Sequence, residues 1–410
     1  MTDRRAFLHR AAGSVASLAL LPELARLGPR RLVEPKAIGL VGVGRQGRAI
    51  ITELQKIEGA RIVAVADTNP ARLASALDRA PGSEGFADHR AMLDRRRDLE
   101  AIVVATPTHL HRAIVEDALS AGRHCFCEAP LAHTVEDARA IVVAAEMSNR
   151  IFMAGYQARS NPVYQLARTF FKTASFRDFV SGRTHYHRKT SWRFPPPDGM
   201  SAAESNWRLD PELSLGLIGE ITSHQLDVFH WFRETMPTEA LGFGSIQLRT
   251  DGREVADSVQ AIFRWADGTA VQSEATLANS YGGQREALHG TNASFDLAWS
   301  HGWMFKELDA PTMGWEVYAL RQQFHHDEGI IVIADATKLA ELGQLKEGIG
   351  LPYSPLYYAL ADFLRSVTFP NVPVPCTARD GLASTVVGIL GNQAIRSGTT
   401  VTIDPALWTD

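Results

Sequence analysis

The stretch KAIGLVGVGRQGRAI, residues 36–50, leaves few folds open. An apolar run from Ala37 to Val41 reads as a buried strand and stops on Gly42, Val43, Gly44, Arg45, Gln46 and Gly47, with a helical pattern from about Arg45. Glycines at this spacing let the backbone turn tightly and approach a ligand. The free N–H groups and positive dipole end of the following helix then face that ligand, and a pyrophosphate fits. The spacing alone is common. It gains weight from a second strand, RIVAVAD, that ends on Asp67, 20 residues after Gly47, where a carboxylate accepts the ribose hydroxyls of an adenosine. A carboxylate there repels a 2′-phosphate, so NAD is the expected cofactor, with NADP second on account of Arg72.

Further apolar runs end in AIVVAT at 101–106, RHCFCE at 123–128 and IFMAGYQAR at 151–159, with helical stretches such as HLHRAIVEDALSAG between them. Alternation of this length folds as a parallel, doubly wound sheet that binds ligands at the carboxyl ends of its strands. Thr106, Pro107, His109, Glu128 and Gln157 fall at such ends, and His111 opens the next helix. These six are candidates for lining the cofactor. Cys125 and Cys127 lie two apart on one strand and Cys376 is far away, so buried thiols are expected rather than a disulfide framework.

Beyond Gln157 the pattern becomes strand-rich, with runs such as FRDFVSGRTHYHRK, SVQAIFRWADGTAVQSEATLA and EALHGTNASFDLAW and turn signals at Asp251-Gly252 and Asp267-Gly268. The fold class expected is α/β: an N-terminal Rossmann doubly wound parallel sheet over 35–156, then an α+β domain over 157–410 with an open, mainly antiparallel sheet. The loop SWRFPPPDGMSAAESNWRLD carries three consecutive prolines and is expected to form a semi-rigid lip over the site. The C-terminal part reads as two helices around a proline-rich turn, then a short strand.

Two groups of polar residues stand out in this second part. In GLIGEITSHQLDVFHWF, Glu220, His224 and Asp227 fall at i, i+4 and i+7, one helical face among apolar neighbours. Such a stripe is either a satisfied network or a site. In RTHYHRK, period-2 geometry puts Arg183, His185, His187 and Lys189 on one face and Thr184, Tyr186 and Arg188 on the other. Two histidines on one strand face invite a metal, but spacing fixes no third ligand, and no metal site is assigned. Arg159, Trp207, Arg208, Asp227 and Lys189 are taken as substrate-binding candidates.

A formal net charge of -4 over 410 residues gives no electrostatic footprint for nucleic acid, so a small molecule is the expected partner. Arg4 and Arg5, ahead of an uncharged stretch from Ala11 to Leu21, look like a twin-arginine export signal over a leader of residues 1–34. A periplasmic or otherwise exported protein that meets the twin-arginine machinery is expected.

The order of glycine turn, Asp67, ATPTHLH, AGRHCFCEAPLA and GYQARSNP resembles the glucose-fructose oxidoreductase, inositol dehydrogenase and rhizopine-catabolism superfamily, Gfo/Idh/MocA. The resemblance implies that Glu128-Ala129-Pro130 is the catalytic corner, where most members carry lysine in place of Ala129. It also implies that His224 faces the reacting carbon, that Glu220 stands in for an aspartate that positions substrate, and that the open sheet builds homo-oligomers. The NAD-dependent glycosidase branch is similar in its export signal and in an aliphatic residue at the lysine position. Its Tyr-x-His strand pair would fall on His185 and His187.

These features imply a carbohydrate-active enzyme with tightly bound NAD, working by redox-neutral glycoside cleavage: transient oxidation of a sugar hydroxyl, elimination, and return of the hydride. His224, Glu220, Glu128, His187, His185 and Tyr186 are the expected catalytic set. A sugar oxidoreductase with retained cofactor and a non-catalytic sugar- or cofactor-binding protein are the alternatives.

Overall fold

The computed structural model describes residues 31–313, 330–331 and 351–409. The expected leader therefore lies almost wholly outside the described residues, and Arg31 to Glu34 already belong to the first strand.

Six parallel strands form the first sheet: β1 (Arg31–Val41), β2 (Glu58–Ala66), β3 (Glu84–Phe86), β4 (Ala101–Val104), β5 (His124–Cys127) and β6 (Phe152–Ala154). Their order, β3-β2-β1-β4-β5-β6, is the doubly wound Rossmann order, with the chain reversing direction between β1 and β4. Between them run α1 (Arg45–Leu54), α2 (Pro70–Arg79), α3 (His89–Arg95), α4 (His111–Ser120) and α5 (Val135–Met147). Local chemistry starts these helices: the Asn69 side chain accepts the Arg72 N–H ahead of Pro70, and Thr134 accepts the Asp137 N–H. The strands read as continuous apolar runs because both sheet faces are covered. One cover comes from the far end of the chain: in α8 (Pro355–Thr368), Leu360, Phe363 and Leu364 join Ile38, Val103 and Phe126 in one core, with the Phe126 and Phe363 rings 5.8 Å apart.

The second sheet contains β7 (Phe179–His187), β8 (Glu239–Ser245), β9 (Ser258–Arg264), β10 (Ala270–Thr276), β11 (Gln284–Gly290), β12 (Ala293–Ala298), β13 (His301–Lys306), β14 (Ile330–Ile331) and β15 (Val401–Thr402). Every described pairing is antiparallel except β7 with β10. Preceding β7 is α6 (Pro162–Phe171). One face packs on α7 (Ser223–Arg233) and α9 (Ala378–Ser397) through a core that includes Phe229, Phe232, Phe263 and Val387. The other face is open, with Phe243 65% and Ile262 52% exposed. All three cysteines are buried free thiols whose ionisation burial opposes.

Candidate active site

The glycine turn shows whether a dinucleotide fits. A β-carbon on Gly42, whose φ is +86°, would lie 2.7 Å from the Ala105 carbonyl carbon, and one on Gly47 would lie 2.1 Å from the Gly42 oxygen. Neither position tolerates a side chain. Around Gly44 the opposite holds: only Arg72 Nη1, at 3.9 Å, comes near. No side chain caps α1 at Gly44, which leaves its leading N–H groups to a ligand. Asp67 is tied into the turn, its two oxygens accepting the Val43 and Asn69 N–H groups at 2.9 Å each. An ionised carboxylate has about four lone-pair sites, so acceptors remain for a ribose. The residues therefore fit a nicotinamide dinucleotide, which when bound would supply the hydride acceptor.

The corner lies just beyond β5. Glu128 is 7% exposed, and Gln46 of α1 donates to its Oε1 at 2.8 Å. Burial pushes the Glu128 carboxyl up to about 7. His111 holds the corner from behind: Nδ1 lies 3.2 Å from both the Pro130 and Leu131 carbonyl oxygens, and Nε2 lies 3.0 Å from that of Thr106. Burial brings it down to about 4, a neutral brace rather than the cofactor contact expected. Nearby, Thr106 Oγ1 and His109 Nδ1 are buried without a hydrogen-bond partner, as groups awaiting a ligand would be. Pro107 precedes the 3₁₀ turn Thr108–Leu110 that carries His109, and Gln157 opens another, Gln157–Ser160.

Opposite the corner, the expected helix is not uniform. Residues Ile218–Thr222 make a π-helical turn before α7 begins, and the wider turn changes the phase of Glu220 against the helix that follows. Glu220, 3% exposed, accepts from Arg208 Nε at 3.3 Å, Thr108 Oγ1 at 3.4 Å and the Leu215 N–H at 3.3 Å. Burial raises its carboxyl, with Arg208 the main opposing influence. His224 packs on the Tyr156 ring at 5.2 Å, beside the Ala129 backbone. Burial lowers its imidazole, so it stands neutral near neutral pH, the form that accepts a proton. The structure thus brings Glu128, Glu220 and His224 around one corner.

Other expected residues are placed differently. Arg159 and Asp227, taken as substrate ligands, are 4% and 0% exposed and grip each other through three N–H to oxygen contacts of 2.8 to 3.2 Å. Ser384 donates to Asp227 at 2.6 Å and Asp380 pairs with Arg159 at 2.9 Å. Their polar atoms are used up in joining α7 to α9. His185 and His187 lie on the sheet face opposite α7. The alternation is fixed by Gly182, where an added β-carbon would fall 2.2 Å from Phe229 of α7, and by fully buried Thr184. His185 meets the Gly282 carbonyl at 3.2 Å, while His187 meets that of Tyr281 at 2.7 Å and Glu274 at 3.2 Å. Lys189 is exposed beyond the strand end, its N–H donating to Ser280. Tyr186 is on the α7 side, sharing a face with buried Thr184 and with Gly182, and the charge of Arg188 bears on Arg45 of the glycine turn.

The proline-rich segment from Arg188 to Leu217 crosses this site. Arg45 lies over the Phe194 ring at 4.6 Å, and Asn69 Nδ2 donates to the Asp198 carbonyl at 2.8 Å. Asn206 holds the segment together, accepting the Phe194 N–H and donating to its carbonyl. Trp207 stands edge-on to His109 at 5.6 Å, and Arg208 spreads over the Trp207 ring at 4.4 Å. The lip expected from the prolines is present. Asn69, Phe194, Arg188, Tyr156 and Ser384 were not singled out from sequence; Arg188 alone had a signal, its place two residues past Tyr186 on the same strand face.

The family model described as "Oxidoreductase family, NAD-binding Rossmann fold" matches residues 36–156, and the "GFO/IDH/MocA C-terminal domain" model matches 180–296, together more than half of the chain. A glycosyl hydrolase family 109 protein of Shewanella amazonensis is 28% identical over 271 residues, 58% of this chain and 59% of that protein. Levoglucosan dehydrogenase of Pseudarthrobacter phenanthrenivorans is 27% identical over 255 residues, 56% of this chain and 63% of that one. The chain thus spans under two thirds of the length of these relatives. Among solved structures, levoglucosan dehydrogenase in complex with NADH and levoglucosan superposes with a TM-score of 0.71 at 21% identity, covering 90% of this chain and 100% of that one, a likeness of fold. The chain belongs to the Gfo/Idh/MocA oxidoreductase family.

Proposed function

We propose that this protein is a carbohydrate-active enzyme that keeps its NAD between turnovers and cleaves glycosides without net redox change. The observation that carries the reading is the segment Arg188 to Leu217, which reaches from one sheet to the other's nucleotide turn and fastens there through Phe194 on Arg45 and Asp198 on Asn69. A nucleotide held beneath it exchanges slowly, so a hydride taken from one substrate position has to be returned locally. Arg4 and Arg5 support the same reading, since export would leave no cofactor pool to draw on.

His224 is the proton carrier of this scheme. Neutral and placed against the corner, it takes the proton of a sugar hydroxyl as that carbon is oxidised, and Glu128 and Glu220 orient the reacting groups. The new ketone acidifies the adjacent C–H. A base takes that proton as the anomeric substituent leaves with a proton, water adds at the anomeric carbon while a proton returns to the neighbouring carbon, and the hydride goes back to the ketone, so that the net change is hydrolysis. Similarity to levoglucosan dehydrogenase favours a second reading, oxidation of a sugar as the net reaction. The experiment is to pass the purified protein through gel filtration and release bound nucleotide with acid. NAD in stoichiometric amount is the expected result, whereas nucleotide-free protein with no affinity for added NAD contradicts the proposal.

A further inference from the structure

Phe194 meets Arg45 of the glycine turn, while the residues just before it are held from another side, by the connection between β8 and β9. That connection is tied down at its end. Asp257, 0% exposed, accepts the N–H groups of Gln247, Leu248 and Arg249 at 2.7 to 2.9 Å and the Ser258 hydroxyl at 3.2 Å. Within it, Asp251 faces two arginines. Its Oδ1 accepts Arg253 Nε at 2.8 Å, and its Oδ2 accepts both Arg253 Nη2 at 2.7 Å and Arg193 Nε at 2.8 Å. Arg253 Nη2 also donates to Ser191 Oγ at 3.2 Å, and Arg193 Nη2 to the Asp251 carbonyl at 3.3 Å.

Burial decides how much such contacts hold. An ion pair between two exposed side chains contributes little. Here the Arg253 side chain is 1% exposed and grips Asp251 with two donors of its fork, so Arg193, 42% exposed, meets an acceptor that is already oriented. Between Ser191 and Arg193 stands Trp192, buried and at a φ of +60°. A bulky residue takes this left-handed conformation at a cost and keeps it only where its surroundings hold it. The contacts of Ser191 and Arg193, one residue to either side, supply that hold. Fixing the backbone at Trp192 also fixes how the chain runs on to Phe194.

Resting on the reading of a retained cofactor, we propose that Asp251 positions the segment Arg188 to Leu217: by holding Arg193 against the connection between β8 and β9, it places the next residue, Phe194, on Arg45. Asp251 is a positioning residue, acting through Arg193 and Phe194 rather than on the nucleotide. Retention of a nucleotide at the turn of the first sheet is thereby set by a loop of the second.

The test is release of NADH from the full chain, chased with excess NAD and followed by nicotinamide fluorescence. D251N should release NADH about threefold faster or more. The sign is diagnostic, because removing a negative charge acts through the field alone to slow the loss of an anionic ligand. R193Q keeps the buried pair of Asp251 with Arg253, decides the matter even if D251N does not fold, and should also speed release, with R193K closer to wild type. In an F194A background neither D251N nor R193Q should add to the rate. A folded D251N that releases NADH at the wild-type rate or more slowly, an R193Q that matches wild type, or effects that persist undiminished in F194A would overturn the proposal. NADH that leaves the wild-type protein as fast as a freely exchanging cofactor would count against the functional reading, and the ratio of variant to wild-type rates would still decide the role of Asp251.

Discussion

Glu128 is held in conditions that oppose its ionisation, and the consequence is measurable as stability. Its carboxyl is raised by burial from 4.5 to about 7. For an acid raised in the folded state, the stabilising contribution is complete below the unfolded value and is lost as pH climbs to the folded one. The protein should therefore lose about 3 kcal/mol from this group between about pH 4.5 and 7, with no further loss above. E128Q retains an oxygen to accept from Gln46 and has no charge to bury. Thermal melts of the nucleotide-free proteins should show E128Q gaining on wild type from pH 5 to 8, the two converging near pH 4; a pH-independent difference would mean that Glu128 is solvated. Sequence indicated Glu128 because a strand end before a proline needs no tertiary information. It did not reveal that Gln46 would be its partner, or that Arg159 and Asp227 would spend their charges on each other. Those pairings join residues far apart in the chain, and no local pattern encodes them.

At the scale of elements, the segment from Arg188 to Leu217 makes the sharpest prediction. If it retains the nucleotide through Asn69 and Phe194, then N69A and F194A should each raise the dissociation rate of NADH about tenfold, since each removes one hydrogen bond or stacking contact of about 1 kcal/mol or slightly more. Displacement of bound NADH, followed by its fluorescence, reads this directly. Rates unchanged in both variants would make the segment a surface loop. Asn69 also caps α2, so helix content by circular dichroism is the control. Three consecutive prolines announced a stiff segment, but where it lands depends on how the two sheets face each other. The π turn at Ile218–Thr222 was likewise hidden: a periodicity of 3.6 assumes a regular helix, and one wider turn is enough to part Glu220 from the face of Asp227.

Over the whole molecule, legibility followed the range of the interactions. The doubly wound sheet could be read because strand, glycine turn, helix and acid repeat locally, and parallel strands buried on both faces are apolar throughout. The second sheet was readable as strands, but the one parallel contact among the described residues, β7 with β10, was not, because it joins segments about ninety residues apart. The same gap put His185 and His187 on the wrong side: period 2 sorted the residues into faces, and only the packing of Phe229 over Gly182 decides which face meets α7. What emerges is a corner between the two sheets where His224, Glu220 and Glu128 lie near the segment Arg188 to Leu217.

The central claim, that the hydride is returned within one cycle while the proton lost beside the transient ketone is replaced from solvent, is tested most directly by turnover of a glycoside panel in deuterated water with no added cofactor. The account predicts one solvent deuterium in the released sugar, at the carbon next to the transiently oxidised one. Bound nucleotide should be unchanged in redox state at the end, and His224→Ala should abolish turnover while still carrying NAD. A sugar released in oxidised form, with reduced nucleotide accumulating, or a cleaved product free of deuterium, would contradict it.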